Sequence, residues 1–226
     1  MAEPKTLVSL PIEIPSKPEV WTVQISGVAA NVAEILPLCT DAIPGVSLLV
    51  SESPVMDDVD ADFVIASEYS VQAQSSNIIL AKTDLVVINH LDNPFKEISL
   101  QNLQGIYSGE IMNWNETNFL SSYAGDFERI SYIENSDLSI VIEQSVGSTL
   151  SGKFSIVSDP EGVVKAVSED VNAIGIVPVW ALNSSVKKLS VDAGELNYHV
   201  VVSAQNQSEE AQNWLQCLAE KTKSKN

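Results

Sequence analysis

Short apolar runs alternate with helix-type segments along most of the chain. The runs WTVQIS (21–26), VSLLVS (46–51) and DFVIAS (62–67) have the length and the β-branched content of strands. Because they are largely apolar, they are typical of a parallel sheet that is covered on both faces. The segment VAANVAEIL (28–36) follows the first run with helical spacing and ends before Pro37. This alternation predicts an α/β fold.

Capping residues mark the ends of two further helices. Ser99 precedes an apolar pattern with helical spacing, and Gly109 stands where that helix would stop. Asp159, Pro160 and Glu161 suit the cap, the first turn and the positive end of a second helix. The sequence therefore predicts helices that begin after Ser99 and after Asp159.

Two segments are harder to assign. DLSIVIEQSV (137–146) fits either a helix or a strand, and the acid and the serines at its start favour a helix. NIILAKTDLVVINH (77–90) is strand material, but it carries the polar residues Lys82, Thr83 and Asp84 in its middle. We expect the strand to break there.

Composition narrows the classes of function. The 226 residues include 30 acids and 12 bases, and the formal net charge of −18 argues against nucleic acid or anionic membranes as partners. Arg129 is the only arginine, so at most one bidentate guanidinium contact is available. No apolar run is long enough to span a membrane. Residues 1–19 contain four prolines and predict an extended lead-in.

The two cysteines, Cys39 and Cys217, lie far apart in the sequence. A disulfide between them would suit a protein outside the cytoplasm, whereas two buried thiols would behave as small apolar residues. The start of the chain shows no signal-peptide pattern. It fits a secreted protein whose signal segment is absent, and it also fits a cytosolic protein.

No catalytic constellation can be recognised. The two histidines, His90 and His199, are far apart, and no group of His, Cys, Asp and Glu residues has metal-site spacing. Nucleophile-elbow, Walker and dinucleotide-binding motifs are missing. We therefore expect no enzyme activity, no cofactor and no metal. Two strand-to-helix junctions, at Gly27 and before Ser136, would offer free amides to an anion.

One longer segment is more specific. DLVVINHLDNPFKEISLQNLQGIYSGEIMNWNE (84–116) combines a strand, Asn-Pro, a short Leu-x-x-Leu-x-x-Ile helix, Ser-Gly and a Trp after an Asn. In this order it closely resembles the extracytoplasmic phosphate-binding proteins of ABC transporters. Residues 21–50, 60–67 and 159–178 resemble further elements of that family in the same chain order.

The resemblance implies a type II periplasmic-binding-protein fold. Such a fold has two α/β lobes, each a central sheet flanked by helices, and two crossover strands join them. Lobe one would comprise residues 20–86 and 200–226, and lobe two residues 87–199, with 1–19 as the lead-in. Trp114 would then be a core residue of lobe two.

The family also implies a function. The protein would be a solute-binding protein that holds a small ligand, phosphate or another oxyanion, between its lobes. It would act outside the cytoplasm, in the periplasm or as a cell-surface lipoprotein. Its partners would be that ligand and an ABC transporter permease. It would be a monomer and would not bind nucleic acid.

The resemblance places the ligand site at three loops, one after each of two strands in lobe one and one in lobe two. The residues that it implies are Gly27, Val28, Ala29, Ala30, Ser67, Glu68, Asn135, Ser136 and Asp137.

These loops depart from the family pattern. The first loop lacks hydroxyls, Glu68 stands where the family has an arginine, and Arg129 lies too early to replace the arginine of the lobe-two loop. The acids Glu68, Glu134 and Asp137 would oppose a phosphate. The alternative interpretation is a degenerate, non-transport binding or scaffold module on the same fold, without phosphate binding.

Overall fold

The computed structural model describes residues 18–55, 60–71, 77–117, 123, 125–192 and 194–223. The lead-in expected for residues 1–19 therefore lies almost wholly outside the described residues. The strands within these ranges are β1 (Glu19–Ile25), β2 (Val46–Glu52), β3 (Phe63–Ser67), β4 (Ile78–His90), β5 (Glu97–Ile98), β6 (Glu128–Tyr132), β7 (Ser155–Val157), β8 (Ala173–Pro178), β9 (Val186–Val191) and β10 (Leu196–Ala204). The α-helices are α1 (Leu36–Thr40), α2 (Leu100–Ser108), α3 (Asp137–Val146), α4 (Pro160–Glu169) and α5 (Glu209–Lys223).

A mixed sheet runs through the molecule in the order β2-β1-β3-β10-β4-β8-β6-β7. Strands β2, β1 and β3 pair in parallel and are called the β1 half. Strands β8, β6 and β7 also pair in parallel and are called the β6 half. Between them β10 and β4 pair antiparallel to their neighbours. The predicted α/β fold is confirmed.

Strand β4 links the two halves. It pairs with β10 along its first part and with β8 from Leu85 onwards. The expected break at Lys82, Thr83 and Asp84 was wrong, because these residues pair with His199, Tyr198 and Asn197 of β10. Lys82 is exposed, so its charge costs the strand little. The irregularity lies just before these residues: Val200 pairs with Ala81 and Val201 with Ile79, so Leu80 of β4 is the extra residue of a bulge.

The segment after β1 was also predicted wrongly as one helix over 28–36. It forms a 3₁₀ helix, Gly27–Val32, followed by a turn and then α1. Pro37 lies in the first turn of α1, where a missing amide is tolerated, and it prevents one helix from running through.

Strand β2 departs from the expectation of a sheet covered on both faces. Leu49 and Val50 point to opposite faces, and both are exposed. Strand β3 is buried as expected, whereas β2 forms the outer edge of the sheet. Strand order decides this difference, because the two runs have the same apolar character.

The capping signals are confirmed. Ser99 Oγ accepts a hydrogen bond from the amide of Asn102 at 3.0 Å, and Gly109 ends α2 with a φ of 83°. Asp159 Oδ1 accepts from the amide of Gly162 at 2.8 Å at the start of α4. Segment 137–146 is a helix, as favoured. Local capping chemistry thus fixes where these helices begin and end.

Aromatic clusters fill both halves of the core. In the β1 half, Trp21 and Phe63 pack on Trp214 of α5, with ring centroids 6.0 and 4.6 Å from that of Trp214. Helix α5 thereby returns the end of the chain to the β1 half. Near the β6 half, Trp114 is fully buried and stacks on Phe95 at 4.5 Å. The expectation that Trp114 is a core residue is confirmed.

A disulfide joins Cys39 of α1 to Cys217 of α5. Its Cα atoms are 5.8 Å apart, and the two cysteines are 178 residues apart in sequence. The sequence left open whether Cys39 and Cys217 form a disulfide or two buried thiols, and the structure shows the disulfide. Among the described residues no helix has both the length and the apolar content needed to cross a bilayer.

We expect Trp114→Ala to lower the free energy of unfolding by about 3–5 kcal/mol, because it leaves a cavity between Phe95 and Phe127. It also removes the hydrogen bond from Nε1 to the carbonyl of Asn172. Urea unfolding measures the loss. Met112→Ala, at an exposed position two residues earlier, is the control and should change little. Equal stability of the two variants would contradict the core assignment.

Replacing both Cys39 and Cys217 by alanine is expected to cost about 2–5 kcal/mol, since the bond closes a long loop. Thermal unfolding with and without reductant tests this. Reductant should lower the midpoint of the parent and leave the double variant unchanged. Two titratable thiols in the parent protein, purified without reductant, would refute the pairing.

Candidate functional site between the two halves of the sheet

The carboxylate of Asp137, the first residue of α3, is the centre of a buried polar cluster. Its Oδ2 accepts hydrogen bonds from the hydroxyl of Ser26 and from the amide of Ser67, the latter at 2.9 Å. Its Oδ1 accepts from the hydroxyls of Ser67 and Ser70. Asp137 is 1% exposed. Four donors from the β1 half thus converge on one carboxylate at the start of α3.

Sheet topology brings these donors together. Strands β1 and β3 are parallel neighbours, so their carboxyl ends meet at one edge of the sheet. Ser26 follows β1 directly, and its amide donates to the carbonyl of Ile65 at 2.9 Å. Ser67 ends β3, and Ser70 lies in the turn that follows. Open α/β sheets bind their ligands at such an edge.

Helix α3 is fixed against this edge. The amide of Asp137 donates to the carbonyl of Pro54 at 2.9 Å, and Ser136 Oγ accepts from the amide of Ser139 at 3.2 Å. Leu138 lies against Gly27, where an added Cβ would come within 2.9 Å of the Leu138 side chain. The amides of Asp137 and Ser139 are therefore already hydrogen-bonded, and the Leu138 side chain occupies the space next to Gly27.

The charge of Asp137 is balanced by dipoles. Within the described part of the chain Asp137 forms no ion pair; the pair that is present joins Glu68 to His199 at 3.0 Å. The positive end of α3 and the four donors stabilise the carboxylate instead. The cluster therefore has the donor set of an anion site, and its anion is part of the chain.

A hydrogen bond from a buried tyrosine holds the loop after β1 in place. The hydroxyl of Tyr198 donates to the carbonyl of Val28 at 2.8 Å. Burial raises the pKa of Tyr198, so the hydroxyl stays protonated and remains a donor at physiological pH. Val28 and Ala29 are buried in the core, whereas Gly27 and Ala30 line the opening next to the cluster together with residues of other segments.

The implied site residues separate into two groups. Ser67 and Asp137 meet in the cluster, with the loop at Gly27 beside them. Glu68 turns outward to His199, and Asn135 is exposed with a φ of 61°. The remaining implied residue, Ser136, uses its hydroxyl as the helix cap. As ligand contacts, all of these residues stay predictions.

Sequence reasoning missed Ser26, Ser70 and the carbonyl of Pro54. Ser26 directly precedes the predicted loop and could have been found there, whereas Ser70 reaches Asp137 only through the turn after β3. It also missed residues 158–161, which face Gly27 across a cavity of about 440 Å³.

Arg129 is not part of this cluster. Its Nη1 donates to the carbonyls of Ile106 and Ser151, each at 3.0 Å, and its guanidinium lies 4.7 Å from the ring centroid of Phe154. The one arginine of the chain is therefore a buried structural residue behind α2 and the 151–154 segment.

Comparison with known proteins shows the family. A model described as a PBP superfamily domain matches residues 40–217. None of the curated proteins matches the chain. Several solved structures share the fold. One is a putative phosphate ABC transporter substrate-binding protein with bound phosphate from Clostridium perfringens, at 18% identity, a TM-score of 0.76, and coverage of 92% of this chain and 97% of that one.

Two further structures resemble it. An ABC-type phosphate transport receptor from Vibrio cholerae has 16% identity, a TM-score of 0.72, and coverage of 91% of this chain and 95% of that one. The Synechocystis PCC6803 CcmR regulatory domain in complex with 2-PG has 14% identity, a TM-score of 0.64, and coverage of 91% and 98%.

The chain belongs to the PBP superfamily. The type II periplasmic-binding-protein fold and the resemblance to phosphate-binding proteins of ABC transporters are confirmed at the level of family and fold. Solute-binding proteins and a regulatory domain share this fold, so the fold alone does not choose between those roles.

Asp137→Ala should lower the free energy of unfolding by at least about 3 kcal/mol, because it leaves buried donors without an acceptor. Asp137→Asn should cost less, since its amide oxygen remains an acceptor. Glu134→Ala, an exposed acid in the preceding turn, is the control and should be neutral. Chemical unfolding of the three variants checks this, and an Asp137→Ala protein as stable as the parent would contradict the cluster's role.

Proposed function

We propose that the protein is an extracytoplasmic binding or scaffold module of the PBP superfamily, in which the Asp137 carboxylate occupies the place of a captured oxyanion. The observation that carries this proposal is the convergence of three hydroxyls and one amide on that carboxylate. The Asp137 side chain then holds α3 against the β1 half, and no captured solute is needed to bring them together.

Phosphate capture at this cluster has a clear energetic obstacle. A phosphate would have to displace Asp137, whose hydrogen bonds as a charged acceptor contribute about 1.5–3 kcal/mol each. No arginine or lysine among the described residues bonds to Asp137 or to the serines of the cluster. Two anions within one site of neutral donors would also repel each other.

The extracytoplasmic location is supported by the Cys39–Cys217 disulfide, which persists in oxidising compartments. The superfamily supports a role in binding and not in catalysis. The lobe boundaries given above, with residues 20–86 and 200–226 in one lobe and 87–199 in the other, belong to the proposal. They agree with the return of α5 to the β1 half.

A phosphate receptor for an ABC transporter is the second candidate. The Clostridium perfringens structure, which has bound phosphate and covers nearly the whole chain, favours it. In that case Asp137 would leave the cluster when phosphate enters, and an ABC transporter permease would be the partner. The two candidates therefore differ in one measurable property, the affinity for phosphate.

Phosphate titration separates the candidates. We expect the parent protein to show no binding heat and no thermal stabilisation at millimolar phosphate. A receptor saturated at 100 times its dissociation constant would gain about 2.7 kcal/mol of stability. Sub-micromolar phosphate binding by calorimetry would overturn the proposal and establish the second candidate.

The cluster should accept a small anion once Asp137 is shortened. In Asp137→Ala the three hydroxyls and the Ser67 amide are left without their acceptor, so formate or acetate should restore part of the lost stability. The midpoint of thermal unfolding, measured at increasing concentrations of formate, acetate or chloride, tests this expectation. The parent and a Ser67→Ala, Asp137→Ala double variant serve as controls. Equal anion effects on all three proteins would contradict the site.

A further inference from the structure

A second cavity, of about 580 Å³, lies beside α3 and shares no lining residue with the Asp137 cluster. Helix α3 contributes Ser139, Ile140 and Glu143 to one wall. The carboxyl end of β6, the 149–154 segment and β7 form the other walls. Its volume lies within the range of sites that bind small molecules.

The cavity contains polar groups that the fold does not use. Ser131 lines it and is 1% exposed, and its hydroxyl has no hydrogen-bond partner among the described residues. Buried hydroxyls are usually bonded, so this one is available to a ligand or a water in the cavity. Asn135, in the left-handed region, also lines this cavity. Such backbone conformations are concentrated at binding sites.

Charged groups of both signs lie at the same walls. Lys153 lines the cavity, and no carboxylate within the described ranges forms an ion pair with it. Glu134 and Glu143 supply two acids, and Glu143 is held in place because its Oε1 accepts from the amide of Leu150 at 2.9 Å. The lining therefore carries one positive and two negative groups.

Apolar side chains complete the walls. Ile140, Leu150 and Phe154 are partly buried, and Ile156 of β7 is 56% exposed. Together these side chains offer an apolar ligand group a surface to contact. A ligand that fits must therefore combine both charges with an apolar portion.

We propose that this cavity binds a small zwitterion with an apolar portion, of about the size of a dipeptide. Its carboxylate would pair with Lys153, and its ammonium would pair with Glu134 and Glu143. A simple anion is disfavoured because the lining carries an excess negative charge and the chain has a net charge of −18. This site is independent of the Asp137 cluster, and the proposal stands whether or not phosphate binds there.

The probe is leucyl-leucine. Its binding is measured by titrating it into the isotope-labelled parent protein and recording two-dimensional NMR spectra of the backbone amides. We expect amide shifts to change at residues 131–140 and 149–156, with saturation at millimolar concentration. Acetylation of the probe's amino group, or amidation of its carboxyl group, should each weaken binding by about tenfold or more, because each removes one ion pair.

Two variants locate the site. Lys153→Gln and Glu143→Gln should each weaken leucyl-leucine about tenfold. Both should remain folded, since Lys153 is exposed and the glutamine oxygen can still accept from Leu150. Lys188→Gln, an exposed lysine on β9, is the matched control and should bind like the parent.

Three results would overturn the proposal. The first is the absence of shift changes at millimolar leucyl-leucine. The second is equal binding of the acetylated or amidated probe. The third is unchanged affinity in both Lys153→Gln and Glu143→Gln.

Discussion

The Asp137 carboxylate is the constraint on which the rest of the site depends. A carboxylate that is 1% exposed and has no cationic partner among the described residues must be satisfied by neutral donors. Ser26, Ser67 and Ser70 provide them from the β1 half, while Asp137 itself begins α3. Because both sides must stay in register for these bonds to form, the position of α3 relative to the sheet is fixed. The packing of Leu138 on Gly27 follows from this position.

In the proposed function, an acidic side chain of the chain itself takes the place of a bound anion. The Clostridium perfringens structure that shares this fold holds phosphate. Here an acidic side chain reaches donors at the carboxyl ends of two parallel strands, where open α/β sheets receive their ligands. In the proposed module the Asp137 carboxylate takes the place of a bound oxyanion, and hydroxyl and amide donors together with the positive end of α3 stabilise its charge. Loss of the arginine expected in the lobe-two loop agrees with this arrangement, since Arg129 is used inside the β6 half.

Features fixed by local chemistry could be predicted from the sequence. The caps at Ser99 and Asp159 and the helical state of 137–146 depend on neighbouring residues only, and they were predicted correctly. Features that depend on strand order could not. The exposure of β2 follows from its place at the edge, and the continuity of β4 follows from its pairing with β10. The role of Asp137 was missed for a related reason. Its charge was expected to repel an anionic ligand. The groups that donate hydrogen bonds to it are up to 111 residues away in sequence, so the sequence alone does not show that they meet it.

The most direct measurement is a crystal structure of the parent protein grown in a high concentration of phosphate. We expect the Asp137 carboxylate between the hydroxyls of Ser26, Ser67 and Ser70, with no phosphate density among them. A phosphate ion bound to those three serines, with the Asp137 side chain turned out of the cluster, would contradict it.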